Sequence, residues 1–255
     1  MYLWKYWRET RIVFAVCIAG IALLFLILPG SNLAIQTNQQ PSNALMIGLM
    51  VTLVFELFPV SFIAWLLGSY GVGRDLGEKT GSYIFTRPRS RAFFVWSDWA
   101  YGMTELLAIV VLLNTVLGLY VRRFLIASGD PGHGSYIQLY NQTVPVPYAV
   151  FLNSVAVFLL AGLVFGVTYF STILLRHSRG LMLGAGALLG YLVLKPILQH
   201  YWPGLYMPEL VAPSWIKTMV DSGLKGDFWL SLGLRGAVVV LFPFAAQLLL
   251  EKTDI

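Results

Sequence analysis

The chain has little charge and a single cysteine among its 255 residues. Asp, Glu, Lys and Arg make up 11% of it, whereas hydrophobic residues make up 58%. A water-soluble domain of this size cannot hide so much apolar surface, because surface-to-volume scaling leaves a large share exposed. Cys17 lies inside an apolar run, so an intrachain disulfide is excluded and a packed thiol is expected. The composition predicts an integral membrane protein.

The chain also lacks the motifs of nucleotide hydrolysis and of metal chemistry. The nearest approach to a phosphate-binding loop, at residues 77–80, is Gly-Glu-Lys-Thr, which has no glycine directly before the lysine. His133, His177 and His200 are too far apart to suggest a metal site. No Gly-x-Ser-x-Gly serine or pair of intramembrane aspartates is present for proteolysis. We therefore expect a chain that is not an enzyme and holds no metal or cofactor.

Long apolar runs are what the sequence does contain. They predict six membrane spans, at about 12–28, 44–70, 99–121, 148–175, 180–198 and 228–250. Residues 2–11 carry aromatic and basic side chains typical of the headgroup region, so they predict a separate interfacial helix. A secretory signal would fit the same start, but no clean Ala-x-Ala site follows. The predicted fold is all-α, with residues 1–255 as one transmembrane domain.

The segments between these runs are polar or rich in turn residues. Residues 122–147 contain glycines and prolines typical of an exposed loop, with or without a short helix. The formal net charge of +5 does not indicate nucleic-acid binding, because the Lys and Arg residues lie between apolar runs. Eleven of the 17 fall on the side of both termini, which predicts cytoplasmic termini. Arg122 and Arg123 fall on the other side and count against this orientation.

The segment 71–98, here called the central loop, concentrates much of the charge. It holds eight charged side chains between two long apolar runs: Arg74, Asp75, Glu78, Lys79, Arg87, Arg89, Arg91 and Asp98. Its basic residues suit a cytoplasmic position, and a purely solvated loop would satisfy that rule. Its glycines, aromatic run and Pro88 are more elaborate than a linker needs. We expect the central loop to dock a partner protein.

A few polar or small residues within the spans are candidates for function. Glu56, Glu105 and Asn114 are polar groups that lipid disfavours, so they are possible pathway residues or structural polar contacts. Glycines at small-xxx-small spacing let helix backbones approach closely. The candidates for a helix-packing interface, either between subunits or within the chain, are Gly180, Gly184, Gly186 and Gly190.

The central loop resembles the signature between spans two and three of ABC-2 type transporter permeases. In that family an acidic residue precedes a Gly-Thr or Gly-Ser step, a hydrophobic run, a Thr-x-Pro-x-Ser-Arg-like turn and a helix that leads into the third span. The matching residues here are Glu78, Gly81-Ser82, Tyr83-Ile84-Phe85, Thr86 to Arg91 and Ala92 onward. The chain is similar in particular to the branch that includes permeases of nitrous-oxide-reductase maturation and gliding-motility systems.

The resemblance implies the permease subunit of an ATP-driven transporter, an exporter, in the cytoplasmic membrane of a prokaryote. Its partners would be a separate ATP-binding subunit, which holds ATP and Mg²⁺, a second permease copy in a homodimer, and membrane lipid, with no nucleic acid. A cytoplasmic coupling helix would present the partner-coupling residues Glu78, Lys79, Tyr83, Phe85, Arg87, Pro88 and Arg91. The alternative is a non-transporting scaffold or assembly factor that recruits a soluble partner through the same loop.

Overall fold

The computed structural model of the protein describes residues 2–27, 59–77, 90–127, 136–139, 142–176, 178–201 and 226–252. The helices in these ranges are α1 (Tyr2–Ile27), α2 (Pro59–Gly68), α3 (Val72–Gly77), α4 (Arg91–Ala127), α5 (Val146–Leu175), α6 (Ser178–Tyr201) and α7 (Gly226–Lys252). A short hairpin of β1 (Tyr136–Leu139) and β2 (Gln142–Pro145) lies between α4 and α5. The predicted helical class is confirmed.

Three helices of the described chain are long and apolar enough to cross a membrane. The qualifying stretches are Arg91–Val116 in α4, Val150–Leu175 in α5 and Leu232–Lys252 in α7. This finding agrees with the membrane class that the composition predicts. The larger number of six spans stays a prediction.

Helix α5 lies at the centre of the described structure and packs against α3, α4, α6 and α7. It is apolar on every side and carries no charged residue, as expected of a helix surrounded by others. Gly162 and Gly166 are the contact points with α7, where Val239 and Phe242 pack directly onto the α5 backbone. Between membrane helices such close approach provides the packing contacts that drive association.

Two helices begin or continue differently from the sequence prediction. Residues 2–11, predicted as a separate interfacial helix, belong to the same unbroken helix as the predicted first span, because neither glycine nor proline interrupts the chain before Gly20. Helix α4 begins at Arg91 rather than Trp99, because the Ser90 hydroxyl accepts a hydrogen bond from the Phe93 N–H at 3.3 Å. The last part of the central loop is therefore the first two turns of α4.

The segment 122–147 is also more structured than the predicted loop. Helix α4 runs on to Ala127, through Arg122 and Arg123, and so extends past the end of the predicted third span at 121. The hairpin follows, with Ile137 opposite Val144 in an antiparallel register. Pro145 closes the second strand and Pro147 lies in the first turn of α5, where its missing N–H is no loss.

Helices α5 and α6 form a tight antiparallel pair. Helix α5 ends with Arg176 in the left-handed region, at φ 56°, and its N–H donates to the Thr172 carbonyl. Helix α6 begins two residues later, at Ser178. Gly180 then lies against the backbone of Ser171 and Thr172, which leaves no room for a side chain.

Candidate functional site

The residues that fix the two ends of the central loop form a buried polar cluster where α1, α3, α4 and α5 meet. We call it the junction. Its polar members are Lys5, Tyr6, Thr10, Asp75, Asp98, Glu105, Tyr169 and Thr172. The turn that follows α2 contributes the first of its contacts.

The turn at Gly71 brings the start of the central loop onto its end. Gly71 adopts φ +81°, a left-handed conformation that glycine adopts without strain, and it lies against the Asp98 carboxylate. The Val72 N–H donates to Asp98 Oδ2 at 2.7 Å, and the Asp98 side chain is fully buried. A carboxylate that accepts from the first N–H of a helix makes a strong, charge-assisted bond. Asp98 on α4 therefore holds α3 in place.

The N-terminal part of α1 holds α3 from the other side. Lys5 Nζ forms an ion pair with Asp75 Oδ1 and lies 3.7 Å from Glu9 Oε1. Asp75 is almost fully buried, so its charge requires a nearby cation. The start of α1 and the start of the central loop are thus linked across 70 positions of sequence.

Tyr6 fills the space between α1, α2 and α4. Its hydroxyl donates to the Leu67 carbonyl at 3.4 Å, and its ring packs edge-on against Tyr101 at 5.0 Å between centroids. Burial raises the pKa of the Tyr6 phenol well above its usual range, and the Asp98 carboxylate acts in the same direction. Tyr6 therefore remains a neutral hydrogen-bond donor over the physiological pH range.

One turn further along α1, Thr10 meets Glu105 of α4. The Thr10 hydroxyl oxygen lies 2.7 Å from Glu105 Oε1, and both side chains are buried. This contact is a buried polar link between α1 and α4. It gives Glu105, a candidate pathway residue, a partner within the chain.

Helix α5 closes the junction on its inner side. The Tyr169 hydroxyl donates to the Val95 carbonyl at 3.0 Å. Thr172 Oγ1 lies 2.8 Å from the carbonyl oxygen of Tyr169 on its own helix and 3.3 Å from that of Gly68, so its one hydrogen is shared between them. Gly73 of α3 packs directly on the Thr172 side chain. Both ends of the central loop thus contact the same face of α5.

The start of α4 is further tied to the C-terminal end of α7. Arg91 Nη1 donates to the Leu250 carbonyl at 2.6 Å, and Trp96 Nε1 donates to Gln247 Oε1 at 2.8 Å. A cation beside the carbonyls of a last helical turn is favoured by the helix dipole. Arg91, predicted as a partner-coupling residue, has this anchoring contact within its own chain.

The other predicted site residues are distributed as follows. Six predicted partner-coupling residues and one candidate pathway residue lie outside the described residues: Glu78, Lys79, Tyr83, Phe85, Arg87, Pro88 and Glu56. Asn114 is buried on α4 and accepts a 2.6 Å hydrogen bond from Asn153 Nδ2 on α5. Nine positions turn a helix by two and a half turns, so Asn114 and Glu105 lie on opposite sides of α4. The structure brings them to different helices, α5 and α1, rather than to one surface.

The four candidate packing glycines divide into two pairs. Gly180 and Gly184 pack on α5, against Ser171 to Thr172 and against Thr168. Side chains built at Gly186 and Gly190 would meet nothing within 4 Å in the described part of the chain. The first pair therefore serves packing within the chain, and the second pair lies on an open part of α6.

Sequence reasoning did not find most of the junction. In the sequence, Asp75 and Asp98 look like charges of an exposed loop. Thr10 gives no indication of a functional role, because a threonine on an apolar helix carries no distinctive signal. The spacing of Tyr6 and Thr10, four positions apart, places both on one face of α1 and was the available clue. Their partners lie more than 60 positions away.

The hydrogen bonds and the ion pair of the junction attach helices to one another. Within the described ranges no group of three or more His, Cys, Asp or Glu side chains is placed to hold a metal ion. The protein is therefore helical, and three of its described helices are able to cross a membrane. Buried polar contacts hold the two ends of its central loop. Comparison of the chain with protein-family models, curated proteins and solved structures found no match.

Proposed function

We propose that the protein is the membrane-spanning permease subunit of an ATP-driven transporter, energised by a separate ATP-binding subunit that docks on the central loop. The observation that carries this proposal is the anchoring of both loop ends in the junction. Asp98 binds Val72 and Lys5 binds Asp75, so the described start of the loop is bonded to both α1 and α4. The resemblance of residues 78–91 to ABC-2 permeases supports the same function.

The anchoring suits a segment that transmits motion. A displacement applied to the loop reaches α1 through Lys5, α4 through Asp98, and α7 through Arg91. Buried charge-assisted bonds of this kind cost several kcal/mol to leave unpaired, so they resist separation when the loop is moved. A loop that only satisfied the orientation rule would need none of them.

The finer features of the proposal follow from the resemblance and the charge pattern. They are six spans, an interfacial start, a coupling helix around Glu78, cytoplasmic termini, a homodimer, surrounding lipid and export as the direction of transport. ATP and Mg²⁺ belong to the partner, because the sequence has no phosphate-binding motif of its own. The substrate is not part of the proposal.

The test is ATP turnover by a co-encoded ATP-binding subunit reconstituted with this chain in lipid nanodiscs. We expect no turnover from the chain alone and a changed rate for the complex. Glu78→Lys should weaken the coupling by reversing a charge at the proposed docking surface. Lys252→Glu, which reverses an exposed charge at the end of α7, is the control and should leave the rate unchanged.

Three outcomes count against the proposal. Unchanged ATP turnover with Glu78→Lys removes the coupling role of Glu78. An equal loss with Lys252→Glu shows a general charge effect instead of docking. A natural partner without a nucleotide site, isolated by co-purification and identified by mass spectrometry, supports the scaffold alternative.

A further inference from the structure

The contact between Thr10 and Glu105 has more acceptors than hydrogens. The Thr10 hydroxyl oxygen lies 2.7 Å from Glu105 Oε1 and 3.1 Å from the Tyr6 carbonyl oxygen. Thr10 is fully buried and Glu105 is 5% exposed. The second carboxyl oxygen, Oε2, is buried and has no hydrogen-bond partner in the described part of the chain.

Counting hydrogens distinguishes the two protonation states of Glu105. A hydroxyl has one hydrogen, and a carbonyl oxygen or an ionised carboxylate can only accept. With Glu105 ionised, Thr10 can donate to only one of its two neighbours, and Oε2 keeps a buried, unpaired share of the charge. With Glu105 protonated, its O–H donates to Thr10, and Thr10 donates to Tyr6. The protonated state satisfies both short contacts.

The described surroundings supply no compensating positive charge. No Lys or Arg of the described residues contacts the Glu105 carboxyl. The titratable groups that interact electrostatically with it are Tyr6 and Cys17 on α1 and Tyr101 on its own helix, none of which can carry a positive charge. On α1, α3, α4, α5 and α7 the remaining ones described are Lys5, Arg8, Glu9, Arg11, Arg74, Asp75, Arg91, Asp98, Tyr148, Tyr169, Arg235, Glu251 and Lys252. An isolated carboxylate in such a place is costly.

We propose that Glu105 is a proton-binding site: it is a neutral carboxylic acid in the folded protein, and its proton joins α4 to α1 through Thr10. Loss of the proton leaves a buried carboxylate and breaks this donor chain, so α1 is held less firmly against α4. The proposal rests on the geometry of the two helices and is independent of the transporter function.

The direct test is infrared spectroscopy of the purified protein in nanodiscs. A neutral carboxylic acid has a C=O stretch that an ionised carboxylate lacks. We expect this band at neutral pH in the wild type, its loss in Glu105→Gln, and its loss in the wild type at alkaline pH. Absence of a band that depends on Glu105 at neutral pH would overturn the proposal and show that Thr10 donates to an ionised carboxylate.

A second pair of variants keeps the test decisive if Glu105→Gln does not fold. Thr10→Val removes the hydroxyl and should shift the C=O band, whereas Thr10→Ser keeps the hydroxyl and should leave the band in place. A band that is identical in both variants does not arise from this contact and contradicts the assignment.

The pH dependence of stability gives an independent readout. Above the usual range of a Glu carboxyl, about pH 4.3, the unfolded chain has lost this proton and the folded protein still holds it. Stability therefore falls as pH rises from that range until the folded protein has also released the proton. Glu105→Gln, whose amide can donate to Thr10 at every pH, should reduce the slope by one proton. An unchanged slope would refute proton binding at Glu105.

Discussion

Replacing Gly180 by alanine tests how the tight α5–α6 pair is held together. A Cβ at Gly180 would collide with the Ser171 carbonyl oxygen and the Thr172 Cα, and would lie 2.5 Å from the Ser171 carbonyl carbon. These are backbone atoms of α5, so no side-chain rotation can relieve the contact. At Gly186 on the same helix, a Cβ would meet nothing within 4 Å in the described chain. Gly186→Ala is therefore the matched control.

The size of the effect follows from two opposing terms. Overpacking in a dense interior typically costs about 1–3 kcal/mol. Because the Cβ would collide with backbone atoms, which cannot rotate away, we expect Gly180→Ala to cost about 3 kcal/mol, near the upper end of that range. Alanine in place of glycine within a helix contributes about 0.5–1 kcal/mol of stability. The net loss at Gly180 is about 2 kcal/mol, whereas Gly186→Ala is expected to gain up to about 1 kcal/mol. Gly184, whose Cβ would lie 3.2 Å from Thr168 Cα, should give an intermediate result.

The assay is reversible unfolding in mixed detergent micelles, followed by far-ultraviolet circular dichroism as the denaturing detergent fraction rises. The predicted difference between the Gly180 and Gly186 variants is about 3 kcal/mol in the free energy of unfolding. Equal stability of the two would refute the reasoning, because it would mean that α6 can move away from α5 at no cost. If the protein forms the proposed homodimer, loss of that dimer without loss of stability in Gly186→Leu would support a subunit contact at this part of α6.

Two further substitutions test single hydrogen bonds. Tyr169→Phe removes the hydroxyl that donates to the buried Val95 carbonyl. It should lower the free energy of unfolding by about 0.5–1.5 kcal/mol in the same assay. No change would mean that the hydrogen bond adds nothing to the attachment of α4 to α5. Asn153→Leu removes the donor to Asn114. It should cost about 0.6 kcal/mol, the average for hydrogen bonds between membrane helices, and at most about 1.7 kcal/mol; a gain in stability would contradict this.

The helices themselves were largely predictable from the sequence. The charge-free run at 148–175 coincides with α5, Val146–Leu175, because a long apolar stretch bounded by proline and by basic residues can only bury its surface as a helix in this setting. A local signal also existed for the start of α4. Ser90 is a good N-cap, and its spacing to Phe93 fixes the start of α4 at Arg91, close to the helix from Ala92 onward that the resemblance implies.

The junction was less predictable, because its contacts join distant parts of the chain. Periodicity places Thr10 and Glu105 on faces of their own helices, but it does not say which helices are neighbours. The same holds for Lys5 and Asp75, each of which reads as an ordinary surface charge. The order of helix packing decides these partners, and that order depends on the whole set of side chains in the core.

The contact of Thr10 with Glu105 also bears on how the protein is made. The two residues are 95 positions apart, and α1 emerges from the ribosome first. At about 5–20 residues per second, roughly 5–20 s of synthesis pass before α4 is available to it. During that interval Thr10 lacks its partner on α4. Tyr169 and Thr172 of α5 are made later still, so the junction assembles only after α5 has been synthesised.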